Sequence, residues 1–330
     1  MDLKNFVTKT QKFINNDIEE RKHVAFTCTD NYVPFAGIAL TSILLATSKS
    51  NFTFHIFSKN FFEDDIDKLR NTAEKWKTNI IIYYVNEDIF YNTPNPGIYT
   101  YASYYRIILP KFFEDVLSKF LYLDVDICAY QDISSLWNND ISEVVAGVVK
   151  DDKKGVGDRI GIKKYFLSGG LFINVNKWNK NNITEKCLQL MQEDRKWRYP
   201  DQDILNIILE NKVKFLNKNY NYHYSLSHLL DNSDFPSSEK IPNEIIVIHF
   251  AGHSKPWHEW VKTLDAAKIY LNIKAMSQWN DLPLIKPQTY KEMHKAARLA
   301  KKEGSLKEIL YWYFKYSLKK LRVIYQRKRI

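Results

Sequence analysis

Two aspartates stand one residue apart inside a run of otherwise apolar residues, FLYLDVDI at 120–127. The apolar residues favour a buried strand, where a carboxylate without a partner costs several kcal/mol or takes up a proton. At the two-residue period of a strand, Asp124 and Asp126 lie on one side or emerge together as the strand ends. A divalent cation such as Mg²⁺ or Mn²⁺ would offset their mutual repulsion; the simpler alternative is that they cap a turn at an exposed strand end.

A second apolar run, EIIVIHF at 244–250, ends near a histidine and leads into AGHSKPWHEW. His249 could supply a nitrogen ligand, Gly252 a close approach of the backbone and Lys255 a positive charge for phosphate. Two carboxylates with one imidazole favour Mn²⁺ over Mg²⁺, although the supply of metal in the cell can override that preference. Taken singly, a buried core histidine and a solvated lysine are the plainer interpretations.

Two further segments carry residue types suited to a polar site. DQD at 201–203 places Asp201 and Asp203 around Gln202 directly before an apolar helix, where either aspartate could simply cap that helix. Arg106, in TYASYYRIIL, could hold a phosphate or one of the carboxylates.

The elements that must position these residues alternate between strand and helix. Apolar periodicity predicts strands at 23–30, 52–58, 80–85, 143–149, 169–175 and 244–250, and helices at 34–48, 63–76 and 201–212. Residues 1–22 are predicted to form a polar helical lead-in. The alternation is typical of an α/β fold whose mainly parallel sheet is covered by helices on both faces. Ligands bind beyond the carboxyl ends of such strands, which marks Thr27–Asn31 and the end of FLYLDVDI as site candidates.

The charge of the chain is concentrated at its C-terminal end. The 330 residues carry a formal net charge of +10, and residues 291–330 contain 13 Lys or Arg against 3 Asp or Glu. The remaining 35 basic and 35 acidic residues balance, so the excess does not indicate a nucleic-acid-binding body. Three dispersed cysteines match neither a zinc pattern nor a disulfide framework, which fits a reducing cytoplasm. No signal peptide or membrane-spanning run is predicted.

Six segments stand in an order and spacing that resembles family 8 retaining glycosyltransferases, and among them the bacterial lipopolysaccharide core glucosyl- and galactosyltransferases. The segments are TCTDNY (27–32), TYASYYR (100–106), FLYLDVDI, YFLSGGLFINV (165–175), PDQDILN (200–206) and IHFAGHSKPWH (248–258). The resemblance covers roughly residues 22–260. The tail from about residue 270 is similar to the C-terminal segment of those enzymes.

The resemblance implies a GT-A fold with a Rossmann-like mixed, mainly parallel sheet, a Mn²⁺-dependent UDP-sugar donor and transfer with retained anomeric configuration. The metal ligands would be Asp124, Asp126 and His249. The resemblance also implies which residues bind each part of the donor. The nucleoside would be bound by Thr27, Asp30, Asn31 and Tyr32, and the diphosphate by Gly252 and Lys255. Arg106, Asp124 and Val125 would lie near the sugar or the ribose. Asp201, Gln202 and Asp203 would be the catalytic candidates beside the donor sugar.

Two positions depart from the family pattern. Thr29 stands where the family usually has an acidic residue that reads the uracil edge, and Asp30 is the candidate to replace it. Leu167 stands where the family usually has an asparagine that hydrogen-bonds a sugar, which leaves Ser168 as the nearest polar substitute.

Three segments are expected along the chain: the lead-in at 1–22, a catalytic domain at 23–262, and a C-terminal segment at 263–330. In the last, a basic and aromatic helix within 305–330 is expected to bind an anionic membrane surface; packing on the catalytic domain is the alternative. The predicted function is transfer of glucose or galactose from a UDP-sugar to a lipid-linked, lipopolysaccharide-core-type acceptor at the inner face of the cytoplasmic membrane. Acceptors of capsule, teichoic or protein-linked type, and a non-catalytic membrane-associated protein, are the alternatives.

Overall fold

A computed structural model of the chain describes residues 5–15, 21–47, 51–90, 93, 100–193, 195, 197–227 and 241–327. The chain divides into two compact units, the first comprising 1–222 with 244–248 and the second comprising 223–243 with 249–330. The second unit therefore includes 249–262. Within that unit, Tyr270 makes ring contacts with Phe250 at 6.3 Å and with Trp257 at 5.6 Å.

The described residues form alternating strands and helices. The strands are β1 (Val7–Phe13), β2 (Lys22–Thr27), β3 (Phe52–Ser58), β4 (Asn79–Val85), β5 (Lys119–Leu123), β6 (Ile127–Ala129), β7 (Ala146–Lys150), β8 (Phe166–Asn174), β9 (Val213–Phe215), β10 (Tyr222–Tyr224) and β11 (Val247–Phe250). The α-helices are α1 (Val33–Ala46), α2 (Glu63–Trp76), α3 (Ala102–Phe112), α4 (Val175–Lys180), α5 (Ile183–Met191), α6 (Pro200–Ile208), α7 (Asp265–Met276), α8 (Tyr290–Lys302) and α9 (Leu306–Arg327). The predicted α/β class is confirmed.

The main sheet has the strand order β1-β4-β3-β2-β5-β8-β7-β9. Strands β4, β3, β2 and β5 run parallel to their neighbours in that order, so the carboxyl ends of β2 and β5 meet at one edge. Strand β8 runs antiparallel to β5, which brings the amino-terminal half of β8 to that same edge. A smaller sheet has the order β10-β11-β6.

The prediction of a helical lead-in at 1–22 is wrong for the described part of that segment. Residues 7–13, VTKTQKF, form strand β1, which pairs antiparallel with β4 at the edge of the main sheet. The β-branched residues favour a strand, and β4 supplies the hydrogen-bonding partner that local sequence does not reveal. Phe6 and Phe13 are buried, while residues 8–10 are exposed. Residues 1–4 and 16–20 lie outside the described part of the chain.

Aromatic side chains fill the core on one side of β2, β3 and β4. The rings of Phe57 and Tyr83 stack with centroids 4.2 Å apart and planes 5° apart. Phe112 and Phe113, at the end of α3, approach the Phe57 ring edge-on. The thiols of Cys28, Cys128 and Cys187 are buried, and burial raises the pKa of each. These thiols are therefore packing groups and not metal or disulfide partners.

Two histidines and a tyrosine form a hydrogen-bonded chain of side chains across β2, β3 and β4. His23 Nδ1 lies 2.9 Å from His55 Nε2, and His55 Nδ1 lies 2.9 Å from the Tyr83 hydroxyl. Burial, aided by Arg21, lowers the pKa of His23 to about 4, and burial lowers the pKa of His55 well below its usual value. Both rings are therefore neutral in the folded chain at neutral pH.

We expect this chain to make folding stability depend on pH. The folded-state pKa of His23 lies below its unfolded value of 6.5, so the folded state favours the neutral ring. The contribution of neutral His23 to the free energy of unfolding is therefore complete above pH 6.5 and is lost as the pH falls towards about 4. The free energy of unfolding should fall by about 3 kcal/mol across that window from His23 alone. Urea unfolding of wild type and His23→Gln, measured across the window, checks this. Equal pH dependence in the two proteins would contradict it.

Candidate active site

The carboxyl ends of β2 and β5 carry a hydrogen-bonded line of three polar side chains. Tyr122 and Asp124 are two residues apart and share a face, and the Tyr122 hydroxyl donates to Asp124 Oδ1 at 2.6 Å. Thr27 Oγ1 lies 3.0 Å from the same hydroxyl. Because the single proton of Tyr122 goes to the carboxylate, Thr27 is the donor in that second bond. Burial raises the pKa of Tyr122 well above its usual value, against the opposing effect of Arg106, so the phenol keeps its proton.

Arg106, on α3, connects this line to a second carboxylate. Its Nη2 lies 2.8 Å from Asp124 Oδ1, and its Nη1 lies 3.3 Å from Asp201 Oδ2. The Nε group donates to the carbonyl of Ser103 at 3.0 Å, and the guanidinium stacks over the Tyr122 ring at 4.7 Å. With a residue exposure of 7%, Arg106 is fixed in one orientation by contacts on several sides.

The charges of this network depend on one another. Burial acts to lower the pKa of the Arg106 guanidinium, but Asp124 and Asp201 outweigh burial and the net pKa is raised. Burial raises the pKa of the Asp201 carboxyl, and Arg106 opposes that rise. Burial and Asp201 raise the pKa of Tyr104 to about 12. Arg106 is thus the cation that holds two carboxylates at the edge of the sheet.

Ser168, on β8, joins α3 to the start of α6. Its hydroxyl accepts a hydrogen bond from Arg106 Nη1 at 3.2 Å and donates to Asp201 Oδ2 at 3.0 Å. Its backbone N–H donates to Gln202 Oε1 at 3.1 Å. The neighbouring Leu167 is 5% exposed and pairs in register with Val149 on β7. The polar contact at this end of β8 is therefore made by Ser168.

The three catalytic candidates at the start of α6 have different surroundings. Asp201 is 6% exposed within the Arg106 network, and Gln202 is half-buried beside Ser168. Asp203 is fully buried and accepts hydrogen bonds from Arg159, from the Tyr165 hydroxyl and, at 3.1 Å, from the backbone N–H of Tyr199. Asp203 is therefore held in an ion pair on the far side of the helix turn from the Arg106 network.

Four residues of these networks were not identified from the sequence: Tyr122, Arg159, Tyr165 and Asn206. Tyr122 could have been found, because it stands two residues before Asp124 and so shares its face of the strand. Asn206 bonds both backbone groups of Phe166 and the carbonyl of Gln202, which fixes α6 against β8. Arg159 lies in a loop, and the sequence carries no signal of its pairing with Asp203.

The segment expected to bind the nucleoside follows β2. Thr29 is extended, and residues 30–32 form a short 3-10 turn before α1. The backbone N–H of Asn31 donates to Asp30 Oδ1 at 3.0 Å. Tyr32 is 41% exposed, and its ring meets Phe35 edge-on at 5.2 Å. The segment thus presents Asp30, Asn31 and Tyr32 at the surface beside the end of β2.

The two aspartates of FLYLDVDI lie where the buried strand ends. Strand β5 stops at Leu123, the backbone N–H of Asp124 donates to the carbonyl of Gly169 at 2.9 Å, and β6 begins at Ile127. Asp124 and Asp126 are half-buried on either side of the buried Val125. His249 directly follows Ile248, the last residue of the first unit, within strand β11. Asp124, Asp126 and His249 could together hold a metal ion.

The loop expected to bind the diphosphate belongs to the second unit. Gly252 adopts a φ of 81°, a conformation that side chains other than glycine rarely adopt. Lys255 Nζ donates to the carbonyl of Phe250 at 2.7 Å, and its backbone N–H donates to His258 Nδ1 at 3.0 Å. Burial lowers the pKa of His258 to about 4, so its ring is neutral and can accept that bond. Lys255 thus connects the two ends of the loop, Phe250 and His258, through its side chain and its backbone.

Comparisons with known proteins indicate the family of the chain. The family model described as Glycosyl transferase family 8 matches residues 23–261, and its companion, Glycosyl transferase family 8 C-terminal, matches residues 266–320. The chain is 30% identical to the lipopolysaccharide glucosyltransferase WaaO of Escherichia coli K12, with 91% of each chain covered. It is 27% identical to a lipopolysaccharide 1,3-galactosyltransferase of Salmonella typhimurium, with 92% of each covered.

A solved structure shares the fold. The galactosyltransferase LgtC, crystallised with donor and acceptor sugar analogues, is 24% identical, with a TM-score of 0.65 over 77% of this chain and 96% of that one. The expected GT-A fold is thereby confirmed. The match of the family model to residues 23–261 covers well over half of the 330 residues. The chain therefore belongs to glycosyltransferase family 8.

Proposed function

We propose that the protein transfers a hexose, glucose or galactose, from a UDP-sugar to a hydroxyl group of a lipopolysaccharide-core-type oligosaccharide, with retention at the anomeric carbon. The observation that carries this proposal is the Arg106 network, which holds Asp124 and Asp201 together where β2 and β5 end. In α/β sheets that edge is where ligands bind. The names of the lipopolysaccharide glucosyl- and galactosyltransferase relatives support the choice of sugar and acceptor.

In this proposal the divalent cation is Mn²⁺, with Mg²⁺ as the second choice, and Asp124, Asp126 and His249 hold it. When bound, the cation neutralises negative charge that grows on the diphosphate as the sugar leaves. Lys255 adds a second positive charge for that diphosphate, and the φ of 81° at Gly252 allows the backbone to approach it. Asp124 and Val125 would also lie against the ribose or sugar.

Recognition of the nucleoside is assigned to Thr27, Thr29, Asp30, Asn31 and Tyr32. Tyr32 offers an exposed ring for stacking, and Asp30 offers the carboxylate that the family usually carries at the position of Thr29. Arg106 and Ser168 would steady the donor sugar together with Asp201 and Gln202. Ser168, through its bonds to Arg106 and Asp201, takes over the polar contact that Leu167 cannot make.

We further propose attack on the same face from which the diphosphate leaves. The bond between the anomeric carbon and the phosphate oxygen breaks, the acceptor oxygen bonds to that carbon, and the acceptor proton passes to the departing phosphate oxygen. The alternative, a covalent sugar–enzyme intermediate, needs a free carboxylate, whereas Asp203 is paired with Arg159 and Asp201 with Arg106. Isolation of a glycosyl adduct on Asp201 or Asp203 would overturn the same-face mechanism.

A screen of UDP-sugars tests the proposed function. Purified protein is incubated with UDP-glucose, UDP-galactose and other UDP-sugars in MnCl₂, and release of UDP is measured. We expect hydrolysis of UDP-glucose or UDP-galactose that requires Mn²⁺, followed by transfer to a truncated lipopolysaccharide core. Hydrolysis without transfer to that core would point to capsule, teichoic or protein-linked acceptors. If no UDP-sugar is hydrolysed or bound, the proposal is wrong.

Association with a membrane surface is proposed for helix α9. Among the described residues, none of the helices combines the length and hydropathy that a transmembrane span requires. Leu310, Phe314, Leu318 and Leu321 recur at three- and four-residue spacing along α9 and are 71%, 62%, 42% and 63% exposed. A stripe of this kind beside lysines is typical of a helix that lies in the interface of an anionic bilayer. We propose that the protein is peripheral at the inner face of the cytoplasmic membrane; residues 328–330 lie outside the described chain.

The membrane proposal predicts a charge-dependent affinity for vesicles. Replacing Lys315, Lys319 and Lys320 together by glutamine should weaken binding to phosphatidylglycerol-containing vesicles about 100-fold, since each basic residue near the surface contributes about 1 kcal/mol. Sedimentation with vesicles measures the change, and vesicles of phosphatidylcholine alone provide the control. Unchanged sedimentation after deletion of residues 305–330 would show that α9 does not bind the membrane.

A further inference from the structure

A lysine of helix α8 is bonded to two serines, one of which lies in the diphosphate loop. Lys295 Nζ donates to Ser227 Oγ at 3.0 Å and to Ser254 Oγ at 3.1 Å. The backbone N–H of Ser254 in turn lies 3.3 Å from Ser227 Oγ. Ser254 is 1% exposed, and both bonds to the charged Lys295 are partly buried. All of these residues belong to the second unit.

Ser254 stands between the two residues that the proposed function assigns to the diphosphate, Gly252 and Lys255. A second donor fixes Ser254, because the indole N–H of Trp260 lies 3.1 Å from its hydroxyl. A serine hydroxyl has two acceptor lone pairs, and here Lys295 and Trp260 are the donors. The position of the loop backbone at Ser254 is therefore set from outside the loop, by α8 on one side and by Trp260 on the other.

The charge of Lys295 also acts on the loop. Burial is the main cause of the lowered pKa of His258, and Lys255 and Lys295 lower it further, while Glu292 opposes them. The neutral His258 ring accepts the backbone N–H of Lys255 at 3.0 Å. The charge of Lys295 thus acts in the same direction as burial, which keeps the His258 ring neutral.

We infer that Lys295 is a positioning residue for donor binding: it holds the loop from Gly252 to His258 in the conformation that receives a nucleoside diphosphate. The inference rests on the proposed function, and it extends that function to α8, which lies within the part of the chain matched by the C-terminal family model. Lys295 acts through Ser254 and Lys255 and does not itself contact the donor. A residue of this kind changes the affinity for the diphosphate more than it changes the chemical step.

Binding of UDP in MnCl₂, measured by calorimetry, tests the inference without any turnover. Lys295→Met should raise the Kd for UDP about tenfold, as expected for loss of hydrogen bonds to a charged group. With a UDP-sugar, KM should rise by a similar factor while kcat changes less than about threefold. Lys295→Arg, which keeps charge and donors, should recover most of the affinity. Lys291→Met removes an exposed lysine one turn earlier on α8 and should leave the Kd unchanged.

A double-mutant cycle separates loop positioning from a general loss of stability. Ser254→Ala should raise the Kd for UDP to a similar extent. The Kd of the double variant, Ser254→Ala with Lys295→Met, should lie within about twofold of the Kd of each single variant. Additive effects, or a Lys295→Met protein that binds UDP as wild type does, would overturn the inference. If Lys295→Met fails to fold, Ser254→Ala and Trp260→Phe still remove bonds that fix the same loop, and wild-type Kd values for both would overturn the inference. Wild type that binds no UDP in MnCl₂ would instead refute the proposed function.

Discussion

Replacing Arg106 by methionine is expected to reduce sugar transfer by at least about 10³-fold and to lower the free energy of unfolding by about 3–5 kcal/mol. Both effects have one cause. Arg106 is the buried cation that contacts Asp124 at 2.8 Å and Asp201 at 3.3 Å, and methionine leaves both carboxylates without it. Burial already raises the pKa of Asp201, so this carboxyl should take up a proton once Arg106 is gone.

Two further variants distinguish the loss of charge from the loss of geometry. Arg106→Lys keeps the positive charge but cannot reach Asp124, Asp201 and the carbonyl of Ser168 together, so stability should recover more than activity. Asp201→Asn removes one of the two negative charges and should make the Arg106→Met change less destabilising. Urea unfolding and UDP release measure the two quantities. An Arg106→Met protein that keeps wild-type activity would refute the role assigned to this network.

Asp126→Asn is expected to abolish activity that depends on Mn²⁺, with a loss of about 10³-fold or more, because the proposed metal loses one of its two carboxylates. Asp126 is the cleaner choice for this test, since Asp124 is also the ion-pair partner of Arg106. The half-buried Asp126 follows the end of β5, so its replacement by an isosteric amide should leave the sheet folded.

Titration with MnCl₂ measures the effect of Asp126→Asn on UDP release. The half-saturating concentration should rise sharply or become unmeasurable, while His249→Gln should produce a loss of the same kind. Asp88→Asn, at an exposed aspartate after β4, is the matched control and should titrate as wild type does. An unchanged manganese dependence in Asp126→Asn would remove this residue from the proposed ligand set.

The sequence was sufficient for elements whose pattern is strong and local. Helix α2 occupies the predicted 63–76, because an amphipathic period favours a helix. Strand β3 occupies the predicted 52–58, because a short apolar run rich in aromatic and β-branched residues favours a strand. The apolar residues of FLYLDVDI likewise predicted a buried strand, and that strand ends at Leu123, directly before Asp124. Strand β1 was misassigned because its residues 8–12 are mostly polar, and its partner β4 lies some 70 residues away in the chain.

The hydrogen bonds and ion pairs within the candidate site could not be predicted from the sequence in the same way. Ser168 lies near Arg106 because β8 runs antiparallel to β5, and that pairing has no local signature in the sequence. Asp203 was a catalytic candidate on its residue type, and that assignment stays untested. Its partner Arg159 lies 44 residues earlier in a loop, so the ion pair that now suggests a structural role follows from tertiary folding alone.

Strand β1 also protects the chain from self-association. Its neighbour in the sheet, β4, has the sequence NIIIYYV. A mainly apolar segment with high β propensity can act as a template for aggregation when its backbone edge is unpaired. β1 pairs with that edge and turns exposed Thr8, Lys9 and Thr10 outward, so a polar, lysine-bearing strand now forms the outer rim. Versions of this protein that begin after Phe13 would therefore expose the unpaired backbone edge of β4 and should aggregate. Their insolubility should not be mistaken for damage to the active site.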